Sequence, residues 1–371
     1  METAKTMSTT IVGSGVIGLS VAYELLLSSE LRPKELHIIA QHFPNESPVS
    51  HEYTSAWAGA HFRPFPHRPA SFESDARESG YTRATYQRMK AISAKFPEST
   101  VQLMQGIDYL EDPPQEYDGE SPGFNSRSLD NFCKLKAAEL PPGVKSGFQY
   151  DTYCLNAPLY LEFLLAQIQR LCKLYKVQLC LRRMSLQSLS QVHDICPANS
   201  VIFNCSGRGL QFDGSYDPQC FSIRGQTLLL DAPQDSKYSS LTVTHQDKQG
   251  NWTFVIKRPA LDGQRAQYIL GGTKQLDSNS VVPREADTRA ILERGRVLFP
   301  ELMENDEFSI ARVNVGFRPA RHGGSRVELE RTPRGPVVHA YGLGGMGFET
   351  SFGVAQHALE LFRGKCRCSK L

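Results

Sequence analysis

Three glycines within six residues, Gly13, Gly15 and Gly18, carry the clearest chemical signal in this sequence. The spacing Gly-x-Gly-x-x-Gly belongs to a turn that closes the main chain around a pyrophosphate. Gly13 permits the tight turn, Gly15 lets the backbone approach the phosphates, and Gly18 lets a helix pack closely on a strand. A helix starting here offers unpaired N–H groups and the positive end of its dipole to an anion. A second candidate is Arg318, within Val315-Gly316-Phe317-Arg318-Pro319. Guanidinium is planar and grips a carboxylate through two parallel hydrogen bonds. An arginine inside an apolar strand is poorly placed for bulk water, which leaves a bound carboxylate or a buried ion pair. No Ser/His/Asp or metal-ligand constellation is evident.

The surrounding elements fit the glycine turn. An apolar run, Thr10 to Val12, precedes it, and Leu19, Ala22, Tyr23, Leu26 and Leu27 follow at helical spacing. After Arg32-Pro33-Lys34 comes a second apolar strand, Glu35 to Ala40, which completes one βαβ unit of about 30 residues. Dinucleotide binding is the expectation, against a purely structural βαβ turn. An Asp or Glu should end the second strand and hold a ribose hydroxyl. Ala40, Gln41 and His42 stand there instead, which weakens a plain NAD reading.

Further along, helices are expected over 77–95, 158–174, 286–298 and 351–363, and strands over 101–104, 177–181 and 200–207. From 221 to 275 the pattern turns to antiparallel-type strands, at 223–230, 252–257 and 266–271. Strands at 313–319 and 336–340 then lead into Gly342-Leu343-Gly344-Gly345-Met346-Gly347.

At 371 residues the chain has room for two domains. Its 40% hydrophobic and 22% charged content is ordinary for a globular protein, and the net charge of +2 argues against nucleic acid as a partner. No run of 18 apolar residues exists, so neither a spanning helix nor membrane attachment is expected. The first ten residues lack the apolar core of a secretory signal. The nine cysteines are scattered and odd in number, which reads as free thiols in a reducing compartment. The chain ends Ser369-Lys370-Leu371, a peroxisomal address read by an import receptor.

Taken together, the segments resemble the D-amino-acid oxidase family, which is FAD-dependent. They are VGSGVIGLS at 12–20, TSAWAGA at 54–60, FNCSG at 203–207, IRGQTLLLDAP at 223–233, LGGTKQ at 270–275, VGFRPAR at 315–321, VHAYGLGGMGF at 338–348, and the terminal SKL. The SAWAGA wording and the SKL end look most like the fungal members, those acting on D-aspartate in particular. The resemblance implies an α/β fold with an α+β second lobe: a Rossmann-like FAD-binding domain (1–70, 151–215 and 311–371) and an antiparallel-sheet substrate domain (71–150 and 216–310). It also implies a homo-oligomer.

The resemblance further implies where FAD lies. The pyrophosphate would meet Gly13, Ser14, Gly15, Val16, Ile17 and Gly18, with Ala40, Gln41 and Met184 toward the ribose. Cys205, Ser206 and Gly207 would supply a second contact. The flavin would lie by Ser55, Ala56, Ala58, Gly59 and Ala60, near Arg318, and by Gly342, Gly344, Gly345, Met346, Gly347 and Phe348. In this family the substrate Cα hydrogen leaves as hydride to flavin N5, O2 is consumed, and no side chain is assigned as catalytic. Arg318 would hold the α-carboxylate, with Gly345 beside it. Phe254 stands where the family usually has a tyrosine, so that hydroxyl is lost. Lys274 stands where acidic-substrate members carry a cation, and His61, Arg63 or His245 would add a second. The expected reaction turns acidic D-amino acids, D-aspartate foremost, into 2-oxo acids with ammonia and hydrogen peroxide. A broad neutral D-amino-acid oxidase, an NAD-dependent dehydrogenase and a flavin binder without turnover are the rivals.

Overall fold

The computed structural model describes residues 8–117, 121–197, 200–233, 236–261, 265–276 and 278–368, apart from the side chains of 365–368. In chain order its strands are β1 (Ser8–Val12), β2 (Glu35–Ala40), β3 (Gln102–Leu110), β4 (Cys133–Lys134), β5 (Ser146–Cys154), β6 (Gln178–Arg183), β7 (Val201–Asn204) and β8 (Cys220–Asp231). They continue as β9 (Leu241–Gln246), β10 (Trp252–Arg258), β11 (Gln267–Gly271), β12 (Gln275–Leu276), β13 (Ser309–Arg321), β14 (Arg326–Thr332) and β15 (Gly335–Tyr341). The helices are α1 (Val16–Leu27), α2 (Phe72–Lys95), α3 (Ala157–Tyr175), α4 (Ser190–Ile195), α5 (Glu285–Leu298) and α6 (Gly347–Cys368).

The chain divides into two compact units. Unit 1 takes residues 1–56, 161–222 and 318–371, and unit 2 takes 57–160 and 223–317. The TSAWAGA stretch therefore straddles a boundary, with Ser55 and Ala56 in unit 1 and Ala58 to Ala60 in unit 2.

Unit 1 is built on a sheet of order β14-β15-β7-β1-β2-β6. Its four central pairings are parallel, and β14 runs antiparallel to β15 at one edge. Parallel strands covered on both faces are buried nearly end to end. Accordingly β7 is buried along its whole length, and β1 and β2 at every position after the first. Val12, Ile39, Ile202 and Val337 bring the four central strands into one core with Leu189 and Val192. Helix α1 buries Leu19, Val21, Ala22, Leu25 and Leu26, more than a stripe, because α6 packs on it as well, with Tyr23 edge-on to Phe352.

Unit 2 carries the sheet β12-β8-β11-β10-β9-β3-β5-β4, with β13 pairing to β8. It is mixed and not purely antiparallel: β3 and β9 run parallel, from Gln105 opposite Leu241 to Leu110 opposite Gln246. One face packs Leu228, Leu230, Val255, Tyr268 and Leu270 against Ile291 of α5 and Phe299. Several elements outrun their expected lengths. Strand β3 continues six residues past 104, and β5 and β14 were not expected. Among the described residues no helix is long and apolar enough to cross a membrane, and the seven described cysteines are free.

Candidate functional site

In unit 1 the glycine turn is built as its spacing requires. Gly13 has φ +104°, and a Cβ there would stand 2.4 Å from the Cys205 carbonyl oxygen. A Cβ on Gly18 would stand 2.0 Å from the Gly13 oxygen. The turn can therefore close only on glycine. Its N–H is fixed too, since Gly13 donates to Ile39 O at 2.8 Å. Gly15 caps α1 without any side-chain bond, so the first turn keeps amides for an outside anion. One amide is already used: Val16 N donates to Ser55 Oγ at 3.0 Å, so Ser55 braces the helix start. Tyr53 adds a brace the sequence did not signal, donating its hydroxyl to Ser14 O at 2.7 Å.

Two more turns converge on this one. Cys205 N donates to Val12 O at 2.9 Å, which seats the 205–207 turn against Gly13. Gly342 N donates to Gly207 O at 3.0 Å, and Gly344 N to Pro319 O at 2.8 Å. The 342–347 turn thus ties 205–207 to the segment carrying Arg318. A Cβ on Gly345 would lie 3.4 Å from Arg318 Cδ, so the glycine lets the turn lie along the arginine stem. A Cβ on Gly347 would meet Val16 at 3.4 Å. Met346 N closes onto Leu343 O, and Phe348 is buried at the start of α6. Burial lowers the Arg318 pKa from its ordinary value. Backbone amides, a helix N-terminus without a side-chain cap at Gly15 and glycines with no room for side chains form a donor set that fits a dinucleotide.

A carboxylate that local sequence does not reveal stands at the end of β2. Gln41 donates to Glu52 Oε2 at 2.7 Å, so a loop eleven residues on brings a carboxylate to the strand end. Met184 N donates to Ala40 O at 2.9 Å, placing Met184 beside it.

Unit 2 holds the remaining candidates, and three of its expected cations are otherwise engaged. Arg63 Nε donates to buried Asp108 Oδ2 at 3.0 Å, and its guanidinium lies 4.1 Å from the centre of the Trp252 ring. Its charge is matched by that carboxylate. His61 Nδ1 lies 2.9 Å from Thr242 Oγ1, whose one hydroxyl proton goes to Val255 O. The imidazole must therefore donate from Nδ1, and burial, aided by Arg63, drives its pKa down to about 3. His61 is a neutral ring and adds no positive field. His245 faces Glu111 at 3.3 Å, and burial lowers its pKa too. The expectation of a second cation from these three is corrected accordingly.

Lys274 is different. It is exposed, and among the described residues its ammonium has no partner. Its main chain is nevertheless tethered on both sides. Thr273 exchanges hydrogen bonds with Gln226, and Gln275 bonds Asp287 and the fully buried Arg224. Phe254 packs its ring over Gly271 and Gly272, within 2.3 Å of where a Gly271 Cβ would stand. Arg258 was not anticipated: it lies on β10, 4% exposed, and donates to Ala58 O at 3.0 Å. Among the described residues its buried Nε has no partner, and burial with the nearby Arg312 lowers its pKa to about 10. Nothing in its neighbourhood in sequence marks it as buried. Among the described residues no group of three or more His, Cys, Asp or Glu side chains is arranged to hold a metal.

Comparison with known proteins adds a family. Residues 8–361 match the family model described as DAO, FAD dependent oxidoreductase. The chain is 37% identical to the D-aspartate oxidase of Talaromyces thermophilus, over 95% of this chain and 94% of the relative. It is 30% identical to the D-amino-acid oxidase of Schizosaccharomyces pombe, again over 95% and 94%. Among solved structures, the glycine oxidase of Geobacillus kaustophilus superposes with a TM-score of 0.67 at 14% identity, over 97% of this chain and 95% of that one. At that identity the likeness concerns the fold.

Proposed function

The chain belongs to the DAO family of FAD-dependent oxidoreductases, and from that premise we propose that it oxidises D-amino acids, acidic ones by preference, to 2-oxo acids, ammonia and hydrogen peroxide. The observation that carries this reading is the convergence of three glycine turns and Arg318 in one unit. It sets a carboxylate-binding fork beside a dinucleotide cradle.

FAD, held by the glycine turns at 13–18, 205–207 and 342–347, would supply the redox chemistry of the reaction. The side chains have a different task. Arg318 holds the α-carboxylate through its fork and fixes the orientation of Cα. Lys274, with a tethered backbone and no partner for its ammonium among the described residues, is the side chain whose charge would favour an acidic substrate. A carboxylate that sheds hydration on binding needs a paired charge. Lysine is a flexible point charge, so the selectivity it gives is looser than an arginine fork would give. Similarity to the D-aspartate oxidase of Talaromyces thermophilus supports the acidic preference. Exposure of Lys274 and the apolar ring of Phe254 support a broader, neutral range as the second reading.

The deciding experiment measures peroxide release from D-Asp, D-Glu, D-Ala and their L forms, with wild type and Lys274→Met in parallel. The proposal requires D-Asp to lead in the wild type and to lose far more than D-Ala in the variant. Equal losses, or none, would make the neutral oxidase the better reading. We also propose a peroxisomal location from Ser369-Lys370-Leu371, which lies outside the described residues. Import that persists after removal of the tripeptide would refute it. A homo-oligomer is proposed as well, with light scattering as its test.

A further inference from the structure

A buried polar chain in unit 1 runs from the surface to the cofactor cradle. It starts at Glu330 on β14, whose Oε2 lies 2.9 Å from His339 Nε2. His339, on β15, is fully buried and sits in register with Asn204 at the end of β7. Its Nδ1 lies 3.2 Å from Asn204 Nδ2. Asn204, also fully buried, donates from the same nitrogen to Leu210 O at 2.9 Å. Its Oδ1 accepts from Ser206 Oγ at 2.7 Å, and Ser206 Oγ accepts from Leu210 N at 2.8 Å. The 204–210 turn is thereby pinned at both ends by one amide. This is the turn whose Cys205 oxygen takes the space a Gly13 Cβ would need and whose Gly207 O accepts from Gly342 N.

Proton counting fixes the roles. The two amide hydrogens of Asn204 go to Leu210 O and to His339. The Nδ1 atom of His339 must then be the acceptor, and its proton sits on Nε2, directed at Glu330. Reversing the amide would set Asn204 Oδ1 against Leu210 O, oxygen to oxygen. A protonated imidazole would confront the amide with donor against donor. We propose that His339 is a positioning residue which, through Asn204, holds the 204–210 turn in the shape that FAD requires, and that protonation of His339 loosens FAD. The inference rests on assigning that turn to the cofactor cradle.

The groups facing the imidazole are Glu330, Glu328 and Arg326 from β14, Tyr341 from β15 and Asn204 from β7. Burial and then Arg326 disfavour the charged ring, while Glu330 and Glu328 favour it, and the net pKa lies below 6.5. The neutral, turn-holding form therefore prevails at neutral pH.

The test is the FAD dissociation constant, read from released flavin fluorescence as the holoenzyme is diluted, from pH 8 down to the lowest pH at which the fold persists. In the wild type it should rise by about three- to tenfold on acidification, the equivalent of one hydrogen bond. His339→Asn keeps an acceptor near Nδ1 but cannot titrate, so its dissociation constant should stay flat over that range. Glu330→Gln is a partly exposed change that should fold normally, and it should move the rise to lower pH. A flat wild-type profile, or the wild-type slope in His339→Asn, would overturn the proposal. If His339→Asn does not fold, an unmoved profile in Glu330→Gln overturns it alone. Gly13→Ala separates the two layers: if it binds FAD as tightly as the wild type, the cradle assignment fails, whatever His339 does.

Discussion

Substituting Gly18 by alanine sets two known effects against each other. Gly18 is the third residue of α1, and alanine in place of glycine in a helix gains about 1 kcal/mol. The added Cβ, however, would stand 2.0 Å from Gly13 O, 3.0 Å from Gly13 C and 3.3 Å from Ile11 Cγ2. Two of these are backbone atoms that no rotamer change can move aside. Restoring a tolerable contact requires the helix and turn to part by about 1 Å, and overpacking of this kind costs about 1–3 kcal/mol. The clash outweighs the propensity gain, so net stability should fall slightly. Cofactor affinity should fall much more, because the displaced atoms are those we propose to cradle the phosphates. Losing one charge-assisted hydrogen bond costs about 1.5–3 kcal/mol, or roughly ten- to hundredfold in affinity. The assay is flavin retention on dilution, together with the melting temperature. Gly80→Ala is the matched control: Gly80 lies inside α2 with nothing within 4 Å of its would-be Cβ. That variant should gain about 1 kcal/mol and keep FAD. If Gly18→Ala behaves like Gly80→Ala, raising the melting temperature and retaining FAD, the cradle argument is refuted.

Arg318→Ala should leave flavin bound while lowering kcat/KM for D-Asp by about 2–4 kcal/mol, the loss of a two-pronged charged contact; near-normal turnover would place the α-carboxylate elsewhere. Asp75 is 1% exposed and accepts from Arg68 N at 2.7 Å, Arg68 Nε at 3.0 Å and Ser71 Oγ at 3.0 Å. Burial raises its pKa, but these partners outweigh burial and lower it below 3.8. A depressed carboxyl pKa contributes stability above the unfolded value and loses it as pH falls through the folded value. Asp75→Asn should thus cost about 1.5–3 kcal/mol at pH 7, and the gap to wild type in melting temperature should close below about pH 4; a constant gap would contradict this.

Features that depend on neighbours along the chain are legible in the order of residues. The Gly13–Gly18 spacing is legible because backbone sterics act within a few residues, and the structure shows no room for a Cβ at either end of it. The ends of β2 and of α5 follow from local apolar periodicity, and the structure places them as expected, within a residue. Features that depend on partners far away in sequence emerge only on folding. The parallel pairing of β3 with β9 leaves no trace in either strand, because a strand's alternation records burial but not which neighbour supplies it. Arg63, His61 and His245 read as spare positive charge, yet Asp108, Thr242 and Glu111 commit all three. Burial then makes the commitment binding, since a desolvated charge must be matched or given up. Glu52 reaches the end of β2 from a loop, and His339 reaches Asn204 across 135 residues. Residue types establish which groups can donate, accept or carry charge. Only the folded chain, by excluding water and fixing distances, decides which of them are already satisfied and which remain for a ligand.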